Sequence, residues 1–508
     1  MAYPSLSGFL DRVERAGELV RVPAPVDLRL DMAALADRAA KQGGPVLLFE
    51  RPSSGRFPVA MNLFGTRRRT SWALSCDDLE EPAARLRALL HTAPPRTLWE
   101  KLKLLPTLGA LAAMAPRTVS AGACQDVVLT GADADLGILP VLTTWPHDGG
   151  PFVTLPQVIT RDPETGLRNV GMYRLQVLGP RRLALHWQLH KTATAHYRAH
   201  RARGERMPVA IALGGDPALT YCASAPLPPG VDEYLLAGFL RGEGVRMVKG
   251  VATDLEVPAD ADLVIEGFVD TAAPLVREGP FGDHTGFYSL ADDYPALDVV
   301  AITHRRDAVY PATVVGPPPV EDQWLGKATE RLFLPMLQMI APEIVDMCMP
   351  VEGVFHNLCL LSIRKEHPGQ ARKVIHGLWG SGQMAQTKTL VVFDEDVDVQ
   401  DVSGAAWRAF ANVDVRRDLV LSEGPVDVLD HASAHFAFGG KIGVDATRKW
   451  VEEGGREWPE VCVHPPEVVA RMDALYDRLV PGAAPLARPR IEAPPAASWT
   501  PRKGGILQ

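Results

Sequence analysis

The chain has 508 residues, of which 46% are hydrophobic and 22% charged, and a formal net charge of −8. That length exceeds what one hydrophobic core organises, so two or three domains are expected, and the acidic balance argues against a general nucleic-acid binder, whose affinity comes from neutralising phosphates. Forty-four prolines and 44 glycines lie scattered without a fixed period, which argues against collagen, solenoid and propeller architectures. Along the chain, Leu6, Phe9, Leu10 and Val13 recur at helical spacing and Gly17 follows as a stop. A strand at 19–22, a helix at 31–40 and strands at 46–49 and 59–62 complete the pattern of a small α/β domain. It closes in the Pro/Ala-rich region before Pro116.

The middle third changes character. Short apolar runs at 127–129, 153–159, 170–178, 183–187 and 209–213 are separated by glycine, proline and charged turns, which predicts an antiparallel sheet or barrel interrupted by a helix at 231–241. Beyond Pro317, strands at 358–363, 390–393 and 419–421 alternate with helices at 370–378 and 404–411, the pattern of a parallel α/β layer. Val468, Val469, Met472, Leu475, Tyr476 and Leu479 mark one face of an amphipathic helix, and the Pro/Ala-rich stretch from Pro481 is expected to be a poorly ordered tail.

Six cysteines without a CxxC pair point to reduced thiols rather than a zinc site or disulfide frame. The first twenty residues lack a basic region followed by an apolar core, and the most apolar stretches, such as 105–116, are too short to span a bilayer. A soluble cytoplasmic protein is expected. Two basic clusters, Arg67-Arg68-Arg69 and the stretch 198–206, are expected at the solvated surface, as are the acids Asp394-Glu395-Asp396 and Asp398.

The most informative segment is EGPFGDHTGFY, residues 278–288. Its glycines and proline forbid a helix, and Pro280 biases Gly279 toward extended geometry. Glu278 and Asp283 therefore sit on a tight loop, either as an acidic surface turn or as a pair whose repulsion raises the proton affinity of one member. A pair of that kind suits proton transfer near neutral pH. In RNVGMYRLQV, Arg174 offers a planar fork for a carboxylate, of a substrate or of Glu278. Asn169 and Arg174 would face opposite sides of one straight strand, unless Gly171 allows a bulge. His186 and His190 in LALHWQLHKTA, with Asn169 and Glu233, make a mixed N/O set suited to Mn²⁺ or Mg²⁺ with phosphate oxygens. Equally, each histidine can be structural, and Glu233 can simply complement a helix dipole.

Asn169-x4-Arg174, His190, Glu233 and EGPFGD, in this order, resemble the UbiD-like decarboxylases, 4-hydroxy-3-polyprenylbenzoate decarboxylases among them. LPMLQMIAPEIVDMCMPVEGVFHN, HPGQARKVIHGLWG and GGKIGVDATRKW extend the similarity up to about Leu479. The resemblance implies a mixed α/β and β architecture: an N-terminal α/β domain (1–117), a central split β-barrel for flavin and metal (118–317), a C-terminal α/β domain used for assembly (318–480) and a disordered tail (481–508). It implies prenylated FMN lined by Met172, Tyr173, Arg174, His186, Trp187, Gln188, Lys191 and Thr192, with Lys388 as a phosphate partner. It assigns a Mn²⁺ or Mg²⁺ ion to Asn169, His190 and Glu233, and K⁺ as a further ion. Arg174, Glu278 and Asp283 correspond to the family's catalytic trio, with Asp where some relatives carry Glu.

The expected activity is non-oxidative decarboxylation of an aromatic or α,β-unsaturated acid (EC 4.1.1.-), of the hydroxybenzoate or naphthoate type used in ubiquinone or menaquinone biosynthesis. It would run through a covalent adduct or a milder quinoid-like route. Asp283 is the expected proton donor, kept neutral by a dry cleft, with Glu278 fixed by Arg174. The alternatives are a reversible decarboxylase of non-quinone aromatic acids and a non-decarboxylating FMN flavoprotein. Expected partners are a small aromatic carboxylic acid, a flavin prenyltransferase that supplies the cofactor, and further copies of the chain in a homodimer or homohexamer. Nucleic acid and a transmembrane segment are not expected, though a polyprenylated substrate would bring the protein to a membrane surface.

Overall fold

The computed structural model describes residues 2–91, 109, 112–228, 230–355, 357–454, 458–482, 484 and 486. Half of the apolar stretch 105–116 and most of the expected tail 481–508 lie outside the described residues. The chain forms two compact units, one of residues up to Pro335 with Val428–His431, the other of Met336–Asp427 with the described residues from Ala432 onward. Among the described residues no helix is long and apolar enough to cross a membrane.

In the first unit the N-terminal elements fall where periodicity places them. The helix Leu6–Arg15 is capped by Ser5, whose side chain accepts from the Gly8 amide, and buries Leu6, Phe9, Leu10 and Val13. Strands Leu19–Val22, Val46–Phe49 and Val59–Met61 form a sheet with a fourth member, Tyr310–Ala312, which pairs parallel to Val59–Met61. That strand comes from more than two hundred residues downstream, so the N-terminal sheet is completed by the far end of the middle segment.

Nine strands of the middle segment make one sheet, every pairing antiparallel. The expected strand at 170–178 is in fact two, Arg168–Gly171 and Leu175–Gly179. They lie six strand steps apart in the sheet order, which is about 29 Å if the sheet were flat. The connection from Gly171 to Leu175 spans at most about 14 Å. The sheet therefore curls until its two ends nearly meet, which makes it a half-barrel. This break, rather than a bulge at Gly171, removes the parity conflict between Asn169 and Arg174. Glycine is required at 171, because a Cβ there would fall 2.1 Å from the Tyr173 ring. The expected strand at 153–159 is likewise split, into Phe152–Val153 and Gln157–Arg161.

The second unit holds a five-stranded sheet, Ile344–Cys348, Leu358–Ile363, Thr389–Asp394, Phe438–Asp445 and Leu419–Pro425 in spatial order. Its centre is parallel, as the alternation of strand and helix predicts, but both edge strands pair antiparallel, so the layer is mixed. Asp394 and Asp396 are not solvated acids: the Arg448 amide donates to Asp394, and Arg408 and Arg448 pair with Asp396. Arg69 also departs from the expected surface position. It is 1% exposed, with Nη1 3.0 Å from Glu18 and Nη2 donating to the Gly44 and Asn62 carbonyls. The helix Pro466–Leu479 has no buried residue in the single chain, and Tyr476 and Leu479 are exposed.

Candidate active site

Leu175 and Leu185 are cross-strand partners in the hairpin of Leu175–Gly179 and Arg182–Leu185, and the His186 amide donates to the Arg174 carbonyl at 3.3 Å. Arg174 and His186 are thus the next opposing pair, and their side chains share one face of the sheet. The core takes Leu175 on the other face, while Gln176 returns to the face of Arg174.

Glu278 ends the strand Val276–Glu278, and the short hairpin of Phe281–Gly282 and Tyr288–Ser289 carries Asp283 in its loop. Gly279 adopts φ +87°, in the left-handed region that favours glycine, rather than the extended geometry that Pro280 was expected to impose. The loop is tied down on three sides. Gln176 Oε1 accepts from the Gly279 amide at 2.8 Å, Asp148 Oδ1 from the Gly282 amide at 2.9 Å, and the Pro280 carbonyl from the Gly149 amide at 2.7 Å.

These elements converge on Arg174, whose side chain is only 6% exposed. Its Nε donates to Glu278 Oε1 at 2.8 Å and its Nη2 to Oε2 at 3.1 Å, a two-point fork, and Nη2 also donates to Ser289 Oγ at 2.9 Å. Nη1 pairs with Asp283 Oδ2. The guanidinium lies 4.8 Å from the centre of the Phe281 ring. His186 Nδ1 is 3.1 Å from Glu278 Oε2, and its ring packs against Tyr294.

The electrostatics differ from the expected neutral acid. Burial by itself would raise both carboxylates, but for Glu278 the His186 and Arg174 hydrogen bonds outweigh it. For Asp283 the His284 hydrogen bond and the Arg174 charge do the same. Both are held below the usual carboxylate range, Glu278 by His186 and Arg174, and Asp283 by His284 and Arg174. Burial and Arg174 push His186 down, which favours its neutral imidazole form.

Asn169, Tyr173 and Glu233 meet on the strand Arg168–Gly171 and beside it. Asn169 Nδ2 lies 3.3 Å from Thr160 Oγ1, and its side chain bonds the Tyr173 hydroxyl. Glu233, first residue of the helix Glu233–Arg241, accepts the Val170 amide at 2.9 Å. Burial raises its carboxyl to about 7. His190 is exposed on the turn 189–190, and Lys191 and Thr192 are exposed where the helix Thr192–Ala202 begins. Among the described residues no three His, Cys, Asp or Glu side chains cluster as a metal site; the Asn169, His190 and Glu233 set contains two such residues. Lys388 lies in the second unit, just before the strand Thr389–Asp394.

A flavin fits the residues expected to line it. His186 Nε2 and Trp187 Nε1 are buried with no hydrogen-bond partner among the described residues, and a bound group rich in polar atoms would satisfy both. Met172 is half-buried and Tyr173 is buried. Sequence reasoning missed Ser289, His284, Gln176 and Asp148. Only the adjacency of His284 to Asp283 was visible in one dimension.

Solved structures define the class. The chain matches the UbiD-class enzyme HmfF from Pelotomaculum thermopropionicum, in complex with FMN, with a TM-score of 0.77 and 28% identity, covering 92% of this chain and 99% of that one. It matches the vanillic acid decarboxylase of Sedimentibacter hydroxybenzoicus in its closed form with a TM-score of 0.81 and 25% identity, covering 94% and 99%. An uncharacterized protein of Aquifex aeolicus is 49% identical over 480 residues, 94% of this chain and 99% of its own. Family models named for 3-octaprenyl-4-hydroxybenzoate carboxy-lyase match in three parts: the N-terminal domain at 10–89, the Rift-related domain at 117–318 and the C-terminal domain at 323–446. The chain belongs to the UbiD family of carboxy-lyases and is a decarboxylase.

Proposed function

We propose that this chain uses prenylated FMN and a divalent metal to remove the carboxyl group of an aromatic or α,β-unsaturated acid. The observation that carries this is the buried Arg174 fork, shared by Glu278 and Asp283 beside the unsatisfied edges of His186 and Trp187. When bound, the flavin would accept the electron pair left on carbon as CO₂ departs. Met172, Tyr173, His186, Trp187, Gln188, Lys191 and Thr192 are the proposed cofactor contacts. Asn169, Glu233 and His190 are the proposed ligands of Mn²⁺ or Mg²⁺, a hard N/O set.

Arg174 brings the substrate carboxylate in by a charge-assisted bond. Its fork stays on Glu278, while Nη1, which faces Asp283, is the arm a substrate carboxylate competes for. Asp283 then loses part of its cation and gains an anionic neighbour, both of which raise its proton affinity. Its side chain is 14% exposed against 0% for Glu278, so Asp283 is the acid of the pair nearer to solvent. It returns a proton to the carbon that lost CO₂. Phe281 and Phe152 keep water from the guanidinium.

For substrate we propose a hydroxybenzoate or naphthoate acid of a quinone pathway. The relatives named for 3-octaprenyl-4-hydroxybenzoate and vanillic acid support a hydroxylated ring. The test is co-expression with a flavin prenyltransferase, followed by CO₂ release from a panel of aromatic and unsaturated acids. Release that requires both the flavin and Arg174 is expected; no release from any acid by flavin-loaded protein would overturn the proposal.

A further inference from the structure

An acid that gives its proton to carbon at every turnover must be recharged at every turnover, and Glu278 cannot recharge Asp283. Glu278 is fully buried, held by the Arg174 fork and by His186. On the other side of Asp283 stands a group the mechanism has not used. Asp283 Oδ1 accepts the His284 backbone amide at 2.7 Å and lies 3.0 Å from His284 Nδ1, while Oδ2 faces Arg174. The two carboxylate oxygens therefore divide the work, one toward the substrate-binding cation and one toward an imidazole. The His284 side chain is 20% exposed, more than Asp283 at 14%, so the imidazole that touches the acid also meets water.

We propose that His284 is the proton relay that recharges Asp283, a positioning residue that hands a solvent proton from its imidazolium to the carboxylate. The inference rests on the decarboxylase reading above. Protons balance as follows. Asp283 gives its proton to the carbon whose bond to CO₂ has broken, imidazolium Nδ1–H passes a proton to Asp283 Oδ1, and the neutral ring takes one from water. The net reaction is R–CO₂⁻ + H⁺ → R–H + CO₂. Among the described residues the charged groups facing the imidazole include Asp283 on its own loop, Asp322 at the start of the helix Asp322–Ile340, and Arg174 beyond Asp283. Burial raises the Asp322 carboxyl to about 7, and the charge of His284 opposes that rise. By reciprocity an ionised Asp322 favours the imidazolium.

The experiment uses full-length, flavin-loaded protein and an acid that the parent turns over. His284→Gln keeps a hydrogen-bonding side chain but cannot titrate. It is expected to lower kcat by about 10–100-fold, within the range of proton-transfer catalysis, with KM and flavin content unchanged and the loss of rate at high pH abolished. Asp322→Asn removes a charge that favours imidazolium, so the fall of kcat with rising pH should begin at lower pH. Parent kcat and pH profile in His284→Gln would overturn the relay. If that variant loses flavin or fold, an unmoved pH limb in Asp322→Asn overturns it instead. Independently of turnover, NMR of histidine-labelled, flavin-free protein should show the His284 titration midpoint moving down in Asp283→Asn. An unmoved midpoint refutes the coupling, whereas a moved midpoint in a protein that releases no CO₂ refutes the decarboxylase reading alone.

Discussion

Replacing Arg174 by methionine keeps an unbranched side chain against Phe281 and Phe152 but removes the guanidinium that Glu278 and Asp283 share. Four hydrogen bonds are lost, two to Glu278 at 2.8 and 3.1 Å, one to Ser289 at 2.9 Å and one to Asp283. Glu278, 0% exposed, then keeps His186 as its one side-chain partner among the described residues. Removing one member of a buried ion pair costs about 3–5 kcal/mol, because the remaining charge is left desolvated. The sign with pH follows from the folded-state shifts. In the parent both carboxylates titrate below their ordinary values, so their contribution is fully present above about pH 4.5 and fades as pH falls through the depressed values. In Arg174→Met burial acts unopposed by that cation and raises both, so protonation on acidification relieves the penalty. Urea unfolding followed by fluorescence should show a deficit of about 3–5 kcal/mol near pH 8 that narrows toward pH 5. A deficit below about 1 kcal/mol near pH 8, or one that widens on acidification, would refute this account of the cluster.

Two further outcomes are expected. Glu233→Ala should lower the content of both manganese and prenylated FMN in purified protein, measured by metal analysis and absorbance, while leaving the fold intact; full flavin content without dependence on metal would remove Asn169, His190 and Glu233 as ligands. The exposed face of the helix Pro466–Leu479 is expected to be covered by a second copy of the chain, so replacing Tyr476 and Leu479 by serine should lower the mass seen by light scattering, and a parent that is monomeric while active would contradict this.

The parts of the fold legible in sequence are those whose burial follows one periodicity. The helix Leu6–Arg15 and the strands Leu19–Val22, Val46–Phe49 and Leu358–Ile363 begin within a residue of where spacing puts them. Helix Thr192–Ala202 was not anticipated: Lys191 at its N-cap makes no side-chain capping bond, and its alanines, histidines and arginines mark no apolar stripe. Helix Asp322–Ile340 carries Pro335 inside it, which breaks any pattern-based assignment. The split at 172–174 is imposed by closure of the half-barrel, and Tyr310–Ala312 joins a sheet formed by residues 19–61; both are tertiary facts with no local signal.

At the site, Arg174, Glu278 and Asp283 were found because their motif residues carry chemistry. Their ionisation differs from the expectation because it depends on the His186 and His284 hydrogen bonds and on a guanidinium 104 positions from Glu278 and 109 from Asp283 in sequence. Gln176 and Asp148 brace the loop after Glu278 through the Gly279 and Gly282 amides, contacts that only the folded chain creates.

The most direct test of the central claim is proton return to carbon in flavin-loaded Asp283→Asn, read as deuterium exchange at the product's reacting carbon alongside CO₂ release. Asparagine is nearly isosteric but cannot donate an acidic proton. The account predicts unchanged flavin and metal content with both rates reduced about 10²–10⁴-fold, equivalent to roughly 3–5 kcal/mol of barrier. A variant that exchanges and turns over within a few-fold of the parent would contradict it and move the proton donor to another group.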